Sequence, residues 1–295
     1  MKIIQRYFLS FLFLLTISTS AHTQSSDKAL KHYQKYTEIV LKNSESHIKP
    51  YLNRVERRAL KNVRVHVPAE WPVIAQAYPE NIIVSAGMSW VLEQLALSNT
   101  SDYQLGYQGC DEEYTRYLAE AIANNTKRVD SQRKPHAALT LESYATEYQG
   151  SCKGFRNQEI GRSGYGEHFA RLMDASLMFL YLHELGHHVL DHVKNVPPNL
   201  AYQREDEAEA DAWAIEMGFR SNFNVLVGAP IMNLIAALGG ASFEAEEKQT
   251  HPLGIRRIRD MLTQARAILV HQEEYDAVDW LDENLLEADL VFNEL

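Results

Sequence analysis

The sequence predicts an α+β fold, mainly helical, with a small edge-type β-sheet beside one histidine-bearing helix. Three observations carry that reading. Two short segments of strand character, VRVHV at 63–67 and NIIVSAG at 81–87, precede a long run of helical pattern. The stretch FLYLHELGHHVLDH at 179–192 places an H-E-x-x-H arrangement on one of those helices. A second helical stretch follows it and carries carboxylates four residues apart.

Taken in order, residues 26–61 are polar and helix-compatible, with Tyr33, Tyr36, Ile39, Val40 and Leu41 as apolar contacts. The 63–67 segment alternates with period two, and the 81–87 segment leads into a helix through MSWVLEQLAL. Residues 98–167 are rich in Gly, Tyr and polar side chains and hold both cysteines; one helix, DEEYTRYLAEAIANN, is expected there. This region reads as an insertion pinned by its own disulfide. A helix is expected from about 168 to 194, stopped by Pro197-Pro198, and another from about 202 to 217, with Gly218 as its stop. Residues 225–241 are apolar, but Pro230, Asn233 and three glycines favour a buried core helix over a membrane span. A late helix begins at or after Pro252, and the acidic tail from 273 reads as a peripheral amphipathic helix.

Composition narrows the function classes. The chain has 295 residues, 45% hydrophobic and 23% charged, which is ordinary for a folded domain. Its net charge of −10 argues against nucleic acid or an anionic membrane surface as partner. The first residues place Lys2 and Arg6 before an apolar run at 7–17 and then Thr19-Ser20-Ala21. That order is a secretory signal peptide over residues 1–21, cleaved after Ala21, and the expected location is exported: periplasmic or secreted. The run is short against the roughly 20 residues of a membrane span, so no stable span is expected once it is removed; an uncleaved anchor is the alternative. In an exported protein, Cys110 and Cys152 suggest one disulfide, worth roughly 4 kcal/mol in the chain-entropy model, with two unpaired thiols as the other reading.

On a helix, His183 and His187 lie one turn apart on the same face and can direct two imidazoles at one zinc ion. Glu184, beside the first, can act as general base toward water activated at the metal. A bare H-E-x-x-H also arises by chance. His188 and His192 repeat the spacing without a glutamate after the first histidine, and read as solvated outer positions. Catalytic zinc needs a third protein ligand. Glu207 and Asp211, in REDEAEADAWAIEMG, share a helical face near Ala210 and Ala214, whose small side chains would let two helices approach closely. The other reading of these acids is a solvated helix start favoured by the helix dipole. Gly186, inside the helix at a cost of roughly 1 kcal/mol against alanine, is read as room for a neighbouring backbone.

HELGH, followed by EAEAD and then THPLGIRRI, resembles the gluzincin peptidases, which include the CAAX prenyl peptidase, HtpX and periplasmic BepA-type proteases. The likeness covers about half the chain, residues 82–97 and 168–262. It implies a zincin-like metallopeptidase domain over residues 22–295, with one zinc ion per chain on His183, His187 and Glu207 and with Glu184 as base. It makes Asp211 the carboxylate that orients a ligand histidine. His251 becomes the later histidine near the metal or the oxyanion, and Arg257 the arginine of an Arg-Ile pair. NIIVSAG stands where those proteins place an edge strand. The 98–167 segment, the lack of later membrane helices and the lack of a helical-repeat tail depart from their pattern. The implied function is an exported zinc endopeptidase acting on protein or peptide substrates, in envelope protein turnover or quality control. A chaperone-like assembly or binding factor with a latent or structural zinc site is the alternative.

Overall fold

The computed structural model describes residues 24–130, 138–148, 150–224 and 253–293, with residue 251 and scattered positions from 226 to 248. The leader at 1–21 and most of the apolar 225–241 stretch lie outside the described residues. Helix α1 (Gln24–Ile48) is followed by a 3-10 turn (Lys49–Tyr51) and α2 (Arg54–Ala59). Three short strands come next: β1 (Arg64–His66), β2 (Ala75–Tyr78) and β3 (Asn81–Val84). Nine helices follow among the described residues: α3 (Ala86–Leu105), α4 (Cys110–Asp130), α5 (Leu141–Glu147), α6 (Gln158–Ser163), α7 (Gly166–Val189), α8 (Leu200–Arg220), α9 (Phe243–Glu246), α10 (Gly254–His271) and, last of them, α11 (Tyr275–Asn293).

The sheet order is β1-β3-β2. β3 runs parallel to β1, pairing Val65 with Ile82, and antiparallel to β2, pairing Ala77 with Ile82. Its period-two pattern is visible in burial: Ile82 and Val84 are fully buried, while Asn81 and Ile83 are half-buried. NIIVSAG therefore supplies the central strand, and the strand at the edge beside α7 is β2. The segment AQAY carries too few strand-forming residues to announce itself. After β3, Ser85 caps α3 by accepting the N–H of Met88 at 3.1 Å. Gly87 follows because the preceding loop crosses it; a β-carbon there would fall 2.1 Å from the carbonyl oxygen of Trp71.

The core is built around α3 and α7, both buried on most of their circumference, as helices apolar all round must be. Leu92 and Leu95 of α3 meet Leu177, Met178 and Leu182 of α7 in one cluster. The 98–167 region belongs to the same cluster through Cys110, Tyr114, Leu118, Leu141 and Phe155, all fully buried. It contains α4, α5, α6 and the Cys110–Cys152 disulfide. Polar anchors reinforce the packing: Leu141 N–H donates to Gln94 Oε1 at 2.8 Å, and Ser151 N–H to Glu113 Oε2 at 2.7 Å.

Two helix ends differ from expectation. α7 stops at Val189, before the prolines, because Asp191 turns the chain with φ +65°. Gly218 lies buried inside α8, which continues to Arg220 and is capped at its start by Asn199. The tail forms α11, which packs on α10 through Val278, Leu281 and Ala288, with Arg259 stacked 4.2 Å from the Phe292 ring. Among the described residues no helix is long and apolar enough to cross a membrane.

Candidate metal centre

The last turns of α7 and the middle of α8 cross where small residues permit it: Gly186 on one helix, and fully buried Ala210 and Ala214 on the other. That crossing brings Glu207 over the histidine pair. His183 Nε2 and His187 Nε2 stand 3.2 Å apart. Glu207 Oε2 lies 3.3 Å from the first nitrogen, and Oε1 lies 3.4 Å from the second. A tetrahedral zinc site with bonds of about 2.0–2.1 Å has ligand–ligand edges of about 3.3–3.4 Å. The three side chains are thus set at the spacing that one such ion requires, and together they form a group able to hold a metal.

Glu207 Oε2 is buried and makes no hydrogen bond among the described residues. A buried carboxylate oxygen facing two imidazole nitrogens is costly unless a proton or a metal ion sits among them. Burial opposes the Glu207 charge, yet His183 and His187 hold its carboxyl well below the usual range. The donor set of two imidazoles and one carboxylate fits zinc.

Behind the triangle a second layer fixes the first histidine. His183 Nδ1 donates to Asp211 Oδ1 at 2.8 Å, leaving Nε2 for the site. Arg257 grips Asp211 with two prongs, Nε to Oδ2 at 2.6 Å and an Nη to Oδ1 at 2.7 Å. Burial disfavours charge on Asp211, but Arg257 and His183 keep its pKa low, at about 2. Burial likewise works against the His183 imidazolium, and Asp211 with Glu207 overrides it, pushing the ring up to about 10. The Arg257 side chain is only 3% exposed; beyond its grip on Asp211, an Nη stands 3.8 Å from Glu207 Oε2.

Glu184 is buried beside the pair, and its carboxyl accepts the backbone N–H of Ala77 in β2. Burial raises its pKa, with His183 and His187 pulling the other way. His251 reaches the opposite side, its Nε2 3.4 Å from Glu207 Oε2 and its side chain about half exposed. The seven residues singled out in the sequence therefore come to one place.

Two others differ from their reading. His188 is buried, 6% exposed, and donates to the backbone carbonyl of Asn81. His192 turns back to His187, Nδ1 to Nδ1 at 3.1 Å. Neither is a solvated outer position. The His192 contact joins residues five apart across a helix end, a spacing that helical periodicity does not flag.

Comparison with known sequences adds an independent finding. The profile of the peptidase U49 family matches residues 110–273, more than half the chain. The chain belongs to the peptidase U49 family. The match begins at Cys110 and ends two residues before α11, so it includes most of the cysteine-bearing region as well as the metal centre and α10. Membership in peptidase U49 makes the chain a peptidase, with proteins or peptides as the substrate class; the match does not extend to the gluzincin group in particular. No curated protein and no solved structure matches the chain.

Proposed function

We propose that this peptidase is an exported zinc-dependent endopeptidase of the H-E-x-x-H gluzincin type, with a zincin-like fold and one zinc ion per chain on His183, His187 and Glu207. The observation that carries the proposal is the convergence of two imidazole nitrogens 3.2 Å apart with the Glu207 carboxylate, one oxygen 3.3 Å from the first nitrogen and the other 3.4 Å from the second, the former oxygen being buried without a hydrogen bond. A zinc ion there would supply Lewis-acid polarisation of the scissile carbonyl and acidify water.

The chain's own residues account for the rest. Glu184 takes a proton from the attacking water and delivers it to the leaving amine, a task favoured by a carboxyl whose pKa burial has raised. The Ala77 N–H of β2 faces that carboxylate and favours its ionised form. Arg257 holds Asp211, and Asp211 holds the His183 tautomer. His251, about half exposed with its Nε2 3.4 Å from Glu207 Oε2, is the side chain placed to meet the developing oxyanion. An extended peptide adding to the outer edge of β2 would lie across Glu184, because Ala77 of that strand already touches its carboxylate.

Support for export comes from the leader pattern of residues 1–21 and from the Cys110–Cys152 bridge, which suits an oxidising compartment. A role in envelope protein turnover or quality control follows from that location. The proposal is tested by Glu184→Gln, which should abolish peptide cleavage while zinc stays near one per chain. Cleavage that survives removal of zinc ends it.

A further inference from the structure

We infer that His192 is a positioning residue for the metal centre, the middle member of a carboxylate–histidine–histidine chain running from Glu209 to His187. The inference rests on the zinc reading above and deepens it.

The chain's termination sets up the contact. Asp191 adopts φ +65°, a conformation that aspartate tolerates better than most residues. The N–H of His192 then reaches the carbonyl of His187 at 2.9 Å, the six-to-one bond of a helix-closing turn. That turn lays the His192 ring against the His187 ring, with centroids 5.3 Å apart.

Proton bookkeeping makes the chain directional. If His187 offers Nε2 to the site, its proton must sit on Nδ1, and a shielded imidazole N–H needs an acceptor. The acceptor facing it is His192 Nδ1, at 3.1 Å. That assignment places the His192 proton on Nε2, which lies 3.2 Å from Glu209 Oε2 and 3.7 Å from Asp206 Oδ1. One set of tautomers satisfies every step: carboxylate, His192 Nε2–H, His192 Nδ1, His187 Nδ1–H, His187 Nε2. The two ligand histidines are thus oriented by different means. His183 has a buried aspartate clamped by an arginine, whereas His187 has a second histidine whose outer carboxylate, Glu209, is 63% exposed. The His187 arm is therefore the softer of the two and the more open to solvent.

The experiment measures zinc affinity of the whole chain by competition with a chromogenic chelator, beside ¹⁵N NMR of the histidine rings. Wild type should hold one zinc, with His187 in the Nδ1–H tautomer. His192→Ala should weaken zinc binding by about 10–100-fold, the usual effect of losing such a partner. His192→Gln, whose amide oxygen can accept from His187, should recover most of that loss. Glu209→Ala, at an exposed position where folding is not at stake, should show a smaller loss, since Asp206 stands nearby. Wild-type affinity in both His192→Ala and Glu209→Ala, with the His187 tautomer unchanged, overturns the relay and leaves the zinc site standing. A wild-type chain that binds no zinc removes the zinc site and the relay together.

Discussion

A β-carbon placed on Gly186 would stand 3.1 Å from the Cα and 3.1 Å from the carbonyl oxygen of Ala210, so α7 and α8 touch backbone to backbone. Glu207 sits one turn before Ala210 and His187 follows Gly186, which makes this contact the gauge of the distance between the proposed ligands on the two helices. Gly186→Leu should force the helices apart. Overpacking of this kind costs about 1–3 kcal/mol or more, outweighing the roughly 1 kcal/mol at most that leucine gains over glycine in a helix. Thermal unfolding and zinc content should both fall; a variant with wild-type melting temperature and full zinc would contradict the gauge.

The proposed base, Glu184, faces β2. Ala77→Pro removes the N–H that stabilises the Glu184 carboxylate, at an edge strand where proline is tolerated. Losing a hydrogen bond to a charged group should cost on the order of tenfold in kcat/KM. It should also raise the Glu184 pKa, because that bond favours the ionised form. The acid limb of the pH–rate profile should therefore move to higher pH while zinc content is unchanged. An unmoved limb would show that Ala77 plays no part in holding the base.

Glu56 ties α2 to the far end of α8. It accepts from Asn53 N–H, Trp213 Nε1 at 3.2 Å and Arg220 at 2.7 Å. Burial pushes its carboxyl up, but Arg220 and these donors win and lower it from 4.5. A depressed folded pKa contributes stability that is full above 4.5 and is lost as pH falls through the lower folded value. Glu56→Gln should thus cost about 1–3 kcal/mol near neutrality and progressively less in acid. Denaturant melts at several pH values check the convergence; a constant difference down to strongly acid pH would refute it.

Joining Cys110 to Cys152 closes a long loop between buried parts of the core. Replacing both by serine should destabilise the chain by about 4 kcal/mol, read as a lower denaturant midpoint. An unchanged midpoint would show that packing alone holds α4 and the following turns in place.

Much of the site was legible because its residues obey helical spacing. His183, Glu184 and His187 fall on one turn, Glu207 and Asp211 on another, and Gly186 with Ala210 announces a close crossing. His251 and Arg257 are signalled only by the likeness of THPLGIRRI to a peptidase motif, and only the structure shows the Arg257 guanidinium closed on Asp211. What escaped was set by tertiary context. β2 has only Tyr78 as a strand-forming side chain and exists because β3 offers it a partner. His192 reaches His187 through an aspartate in a left-handed turn, which no periodicity reveals. In 98–167, Tyr114, Leu118 and Phe155 join the common core, a packing that the polar and glycine-rich composition of the segment does not announce.

Native mass spectrometry of the purified chain, beside Glu207→Ala, tests the central claim most directly. One zinc ion per wild-type chain is predicted, with loss of that ion in the variant, because one carboxylate on α8 completes the grip of two imidazoles on α7. A folded wild type without zinc, or a Glu207→Ala chain that keeps it as tightly, would contradict the account.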